Sequence, residues 1–210
     1  VSVTLKSSTA TSLTASPTSA NVGVDVTLTA TVTGASPSGS VEFFDGTTSL
    51  GTAAVSGGTA QIITGTLSAG ARSITAAYGG DATNNTSVSS ATTVTVVTVA
   101  TVTLAASGST PSAGAPLTLT ATVTGNTPTG SVEFFDGTTS LGTVALAAGE
   151  ASIETSSLAL GSHSLTAVYS GDTLNTTATS SAATVTVLTV AGVAVAASTE
   201  TPLVGDPVTL

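Results

Sequence analysis

The sequence predicts an all-β chain of tandem antiparallel β-sandwiches set end to end as a rod. Three observations carry that expectation. The fourteen residues 39–52, GSVEFFDGTTSLGT, recur unchanged at 130–143, and the offset of 91 (132 − 41 at the shared valine) carries Tyr78 onto Tyr169 and Asp81 onto Asp172. A repeat of that length is a whole small domain, because a solenoid unit is only about 20–45 residues long. Apolar residues alternate with threonine over short runs, and Gly, Pro and Asp-Gly signals separate those runs without a helical period.

Val3 and Leu5 fall among the positions of Val94, Val96, Val185 and Val187, so residues 1–7 read as the last strand of a preceding unit. The first complete unit then spans 8–98, the second 99–189, and residues 190–210 open a third, with Gly205 in register with Gly23 and Gly114. In the first unit, Leu13 and Ala15 begin a strand that Pro17 interrupts, as an edge strand permits. The clearest strand follows: Val26, Leu28, Ala30 and Val32 alternate with Thr27, Thr29 and Thr31, giving one buried and one hydroxyl-covered face. Threonine suits the outer face because its branched Cβ favours the pleated backbone while its hydroxyl meets water.

A loop containing Pro37 leads to Val41 and Phe43, which point inward, with Glu42 outward and Phe44 out of phase. Asp45-Gly46 closes a hairpin in which glycine takes positive φ and aspartate bonds nearby amides. Ala60 and Ile62 form the next inward row, and the exchange of Ile63 for Glu154 marks a solvent-facing position. Ile74, Ala76 and Tyr78 line the following strand, Gly80-Asp81 ends it, and Val94 and Val96 lie on the closing one. The second unit repeats the scheme with Leu117, Leu119, Val132, Phe134, Ile153, Leu165 and Tyr169.

The junction, TTVTVVTVATVTL over residues 92–104, contains neither Gly nor Pro. A flexible hinge is rich in Gly and Ser, so one unit is expected to run almost directly into the next. At ~3.3 Å per residue, each unit should add roughly 35–45 Å to the rod.

Composition removes several function classes. The net charge is −9 with Lys6 and Arg72 as the only basic residues, which disfavours nucleic acid and anionic membrane surfaces as partners. Cysteine is absent, so disulfides, thiolate catalysis and cysteine-ligated zinc are excluded. No apolar run reaches the ~18 residues of a membrane helix, so no membrane insertion is expected in this segment. The sequence opens in mid-repeat and stops in mid-strand, as expected of a window on a longer array.

These residues resemble the bacterial Ig-like repeat family, whose units carry a GSVxFxDGxxxLG hairpin and end in LxxGxHxLTAxYSGD. The segments stand here at 130–142 and 158–172, with Arg72 and Gly79 replacing His163 and Ser170 in the first unit. The resemblance implies immunoglobulin-like sandwiches in tandem on large secreted or surface-attached bacterial proteins, and it brings no catalytic or cofactor-binding residues with it.

Candidate sites are few. His163, the single histidine, has Arg72 as its counterpart, so no general base recurs and an end-capping role is expected. Asp45, Asp81, Asp136 and Asp172 are the calcium candidates, yet calcium wants about 6–8 converging oxygens, and each of these aspartates adjoins a glycine, where aspartate serves the turn. Tyr78 and Tyr169 read as core residues with hydroxyls bonded to backbone, comparable to a tyrosine corner. Phe44 and Phe135 offer one ring per unit, a weak sugar platform. Asn84-Asn85-Thr86 and Asn175-Thr176-Thr177 match a glycosylation pattern in loops expected to be exposed.

The expected role is structural: a non-catalytic segment of an extracellular or cell-surface fibre or stalk, with no cofactor. Its expected contacts are itself, neighbouring repeats, or a cell-surface or matrix partner. The alternative is a spacer or weak-binding region of an adhesin or carbohydrate-binding protein.

Overall fold

The structure is a computed structural model describing residues 5–192 and 194. Val3 and Thr4 of the preceding strand, and nearly all of the third unit including Gly205, lie outside the described residues. Within them every regular element is a strand.

The first unit contains β1 (Ala10–Ser16), β2 (Ser19–Asn21), β3 (Val26–Thr33), β4 (Ser40–Asp45), β5 (Thr48–Ala54), β6 (Thr59–Thr64), β7 (Gly70–Tyr78), β8 (Ser87–Val88) and β9 (Thr92–Val97). The second contains β10 (Thr101–Ala106), β11 (Leu117–Thr124), β12 (Ser131–Asp136), β13 (Thr139–Ala145), β14 (Glu150–Thr155), β15 (Gly161–Tyr169), β16 (Ala178–Thr179) and β17 (Ala183–Val187).

Each unit is two facing sheets. In the first, β1-β3-β6 faces β2-β9-β7-β4-β5, with β8 pairing β7; in the second, β10-β11-β14 faces a sheet built on β13-β12-β15, which β16 and β17 extend. All these pairings are antiparallel except β2 with β9. The chain changes sheets just after Ser16-Pro17, a cis peptide bond, so the proline expected to interrupt an edge strand marks the crossing from β1 to β2.

Period-two alternation explains the packing. β3 and β11 bury Val26, Leu28, Ala30, Val32 and Leu117, Leu119, Ala121, Val123, while the intervening threonines stay at least partly accessible. Phe43, Ile74 and Tyr78 meet them from the facing sheet in one core, and Phe134, Leu165 and Tyr169 do so in the other. The two FFDG hairpins occupy like environments, with one burial pattern in β4 and β12 and Phe44 and Phe135 half-buried in both. Burying a phenylalanine side chain stabilises by about 1.5–3 kcal/mol, so each sandwich rests on its own cluster. The two units are tandem domains of about 90 residues.

One feature of the hairpin was not legible in the pattern. Phe43 pairs with Gly51 but Phe44 with Ser49, so Leu50 is an inserted bulge residue that turns its side chain onto the core. The bulge needs φ +138 at Gly51 and +139 at Gly142, a conformation side chains other than glycine's adopt only under strain.

Candidate functional site

One set of polar residues that recurs between units converges at one end of each sandwich, in the turn after β7 and β15. Gly80 at φ +75 folds the chain back, and a Cβ there would meet the Asn84 carbonyl oxygen at 3.0 Å, so the turn closes only around glycine. Asp81 then lies beneath a ring of donors. Its Oδ1 accepts from the amides of Thr83 (2.8 Å) and Asn84 (2.7 Å), and its Oδ2 accepts from the Ser38 amide (2.8 Å), the Ser38 hydroxyl (3.0 Å) and the Tyr78 hydroxyl (2.9 Å). Asn84 is fully buried: its Nδ2 donates to Asp81 Oδ2 (2.9 Å) and to the Ala35 carbonyl (3.0 Å), while its Oδ1 accepts from the Ala35 amide (2.9 Å).

The second unit rebuilds this node. Asp172 accepts from the Thr129 amide (2.7 Å) and hydroxyl (2.9 Å), the Tyr169 hydroxyl (2.9 Å), the Leu174 amide (2.8 Å) and Asn175 Nδ2 (2.9 Å). Asn175 in turn clips the Asn126 amide and carbonyl at 2.6 and 2.9 Å.

The electrostatics follow from the donors. The Ser38 amide first, helped by Asn84 and the Thr83 amide, holds the Asp81 carboxyl far below the usual carboxylate range. Burial pushes Asp172 upward, but the Thr129 and Leu174 amides and Asn175 outweigh it and hold it well below that range. Burial, then the adjacent carboxylate, raises Tyr78 and pushes Tyr169 up to about 12.

Two expectations are corrected here. The tyrosine hydroxyls donate to an aspartate three residues on and not to a backbone carbonyl, so the resemblance to a tyrosine corner stops at the core packing of the ring. Asn84 and Asn175 do not present glycosylation sites in exposed loops: they are 0% and 2% exposed, with their amides engaged.

Asp45 and Asp136 lie at the other end of the sandwich and do not serve their turn as expected. Asp45 pairs with Arg72 Nη1 at 3.5 Å, and Asp136 Oδ2 meets His163 Nδ1 at 2.7 Å. His163 Nε2 donates to the Ala159 carbonyl at 2.8 Å. With an acceptor at each ring nitrogen, the protonated imidazole is favoured: the Ala159 carbonyl foremost, then Asp136, raise its pKa against the opposing effect of burial. The repeat thus preserves a basic side chain against this carboxylate, Arg72 in one unit and His163 in the other. Of the calcium candidates, Asp81 and Asp172 are occupied by donors, and Asp45 and Asp136 by those basic side chains. No cluster of three or more His, Asp or Glu side chains suited to a metal occurs among the described residues.

The Asp81 and Asp172 nodes also receive the incoming chain. The Val97 carbonyl accepts from the Val22 amide in the first unit (2.9 Å), whereas the next residue, Thr98, donates to the Leu174 carbonyl (2.8 Å) and accepts from the Thr176 amide (2.9 Å) in the second. Ser7 bonds Thr83 and Asn85 in the same way at 2.7 and 2.9 Å. Ser7 and Thr98, which the expected bounds leave in the preceding unit, both bond into the unit that follows. Sequence reasoning missed the Ser38/Thr129 hydroxyls and read Asn84 and Asn175 only as a glycosylation pattern, although each recurs at the offset of 91 and that recurrence was the available signal.

Among solved structures, the chain is similar to the fibronectin(III)-like modules of CbhA from Clostridium thermocellum, at 24% identity over 84% of this chain and 93% of that one, with TM-score 0.39. It is also similar to an I-band fragment of titin (13% identity, 87% and 64% covered, TM-score 0.48). A putative membrane-anchored protein from Corynebacterium diphtheriae matches at 16% identity, with 84% and 57% covered and TM-score 0.37. No curated protein matches the sequence. The family model of the bacterial Ig-like domain (group 3) matches residues 13–97 and again 103–188, and the chain belongs to that family, with two tandem copies of its domain.

Proposed function

We propose that this chain is a structural, non-catalytic segment of an extracellular bacterial fibre or surface stalk, and that what it supplies is length and stiffness. The observation that carries this reading is the junction: Val97 and Thr98 are consecutive, yet their main-chain groups are bonded into different sandwiches. No residue between them is free to act as a hinge, and a linker without free residues cannot explore the wide angles of a Gly/Ser tether. The polar node supports the same reading. It spends its carboxylate, amide and hydroxyl on holding loops and receiving the entering strand, a use that suits durability better than ligand exchange.

Electron microscopy of a longer array tests the proposal. Straight particles lengthening by roughly 35–45 Å per unit are expected, and units joined at random angles would refute it.

A further inference from the structure

A stalk of open-edged sandwiches must deal with strand edges, whose unpaired N–H and C=O groups invite a second chain. Proteins blunt them by cover, shortness, bulges or charge. Three of the four edges in the first unit carry such a device. β1 is covered: the Leu13 carbonyl accepts from the Thr92 hydroxyl at 3.2 Å, and Thr9 and Thr11 bond Asn85 and Ser87. β2 is three residues long, and β5 is bulged at Leu50.

β6 carries none of these devices. Thr59 turns both main-chain groups outward to Ser56 (2.8 and 3.0 Å), so alternation turns those of Gln61 and Ile63 outward as well, and neither finds a partner among the described residues. Its sequence, TAQIIT, is uncharged, and Ile63 is 63% exposed. The equivalent strand of the second unit, β14, reads EASIET, with Glu150 and Glu154 at the positions of Thr59 and Ile63. Two carboxylates on an edge oppose pairing by repulsion and by the cost of desolvating them.

We propose that the outer edge of β6 is a self-association site, taking the same edge of a second copy in antiparallel pairing. Gln61 of each copy faces Ile63 of the other, and the two pairs exchange their free N–H and C=O groups, continuing the three-stranded sheet across the joint. A second copy is the occupant the edge chemistry selects, because the joint is symmetric, uncharged and formed largely from main chain. The contact is short and weak alone, and it gains strength where parallel arrays align many such edges. The β14 carboxylates confine pairing to the first type of unit and so set which repeats touch.

The inference rests on the stalk reading for its purpose, while its test is separate. Sedimentation velocity of the 210-residue chain at rising concentration, with amide exchange on the same samples, should show reversible dimers and slowed exchange at Gln61 and Ile63. The variant Thr59→Glu/Ile63→Glu borrows residues the second unit already carries at those positions. It should keep the first unit's melting temperature and lose the concentration dependence, whereas Glu150→Thr/Glu154→Ile should add a second association. A chain that stays monomeric at its solubility limit would overturn the proposal, as would association surviving Thr59→Glu/Ile63→Glu or leaving those two amides unprotected. Each of these failures would leave the rod dimensions, and with them the stalk reading, untouched.

Discussion

Replacing Asn84 with alanine probes the polar node most directly. The side chain is fully buried and clips both main-chain groups of Ala35, at 2.9 and 3.0 Å, across 49 residues of sequence. Each such bond contributes roughly 0.5–1.5 kcal/mol net, so losing the two costs about 2 kcal/mol before the lost donation to Asp81 is counted. A domain of this size shifts by about 4–8 °C per kcal/mol, so the first unit should melt on the order of 8–16 °C lower. Differential scanning calorimetry of the two-unit chain supplies its own control: Asn84→Ala should move the first unit's transition, and Asn175→Ala the second's. Shifts below about 2 °C for both would refute the reasoning, because they would mean that water replaces the amide at no cost.

Further outcomes follow from the same geometry. His163 has a raised pKa, so its contribution is complete below its ordinary value of 6.5 and is lost as pH rises through the folded value. Melting of the second unit should therefore weaken as pH rises above 6.5, the first unit with Arg72 should not follow, and His163→Arg should abolish the difference. An NMR titration midpoint for His163 at or below 6.5 would contradict this. Asp81 and Asp172 have lowered pKa values, so their contribution is present above the ordinary 3.8 and lost as pH falls below it. Unfolding monitored by circular dichroism should set in only in that acid range, and Asp81→Asn should remove the first unit's share of the acid dependence. Gly51→Ala and Gly142→Ala should each lower the thermal melting of their own unit, since φ of +138 and +139 at these positions strains any side chain. Adding a chelator should leave both melting temperatures unchanged.

Much of the sandwich could be read from the chain because side-chain alternation is a local property. Wherever one face of a strand is buried, period-two patterning declares it, as from Val26 to Val32, and the offset of 91 confirmed each inward position twice. Partners that meet only through tertiary approach were not legible. Nothing local to Asp81 announces Ser38, 43 residues upstream, and nothing near His163 announces Asp136, 27 residues upstream. The glycosylation pattern misled for a related reason: three letters specify a sequon, but burial of Asn84 depends on the loop around Ala35 folding over it. The bulge at Leu50 escaped because an inserted residue keeps the alternation on each side and shifts only the register.

The central claim, that successive sandwiches are joined without a hinge, is tested most directly at the Val97–Thr98 bond. Small-angle scattering of the two-unit chain should give a maximum dimension of roughly 70–90 Å and a distance distribution insensitive to salt. Inserting Gly-Gly-Ser-Gly between those two residues should broaden the distribution and shorten the mean. If the uninterrupted chain already scatters like the inserted one, its joint is a flexible tether and the account of a stiff stalk is wrong.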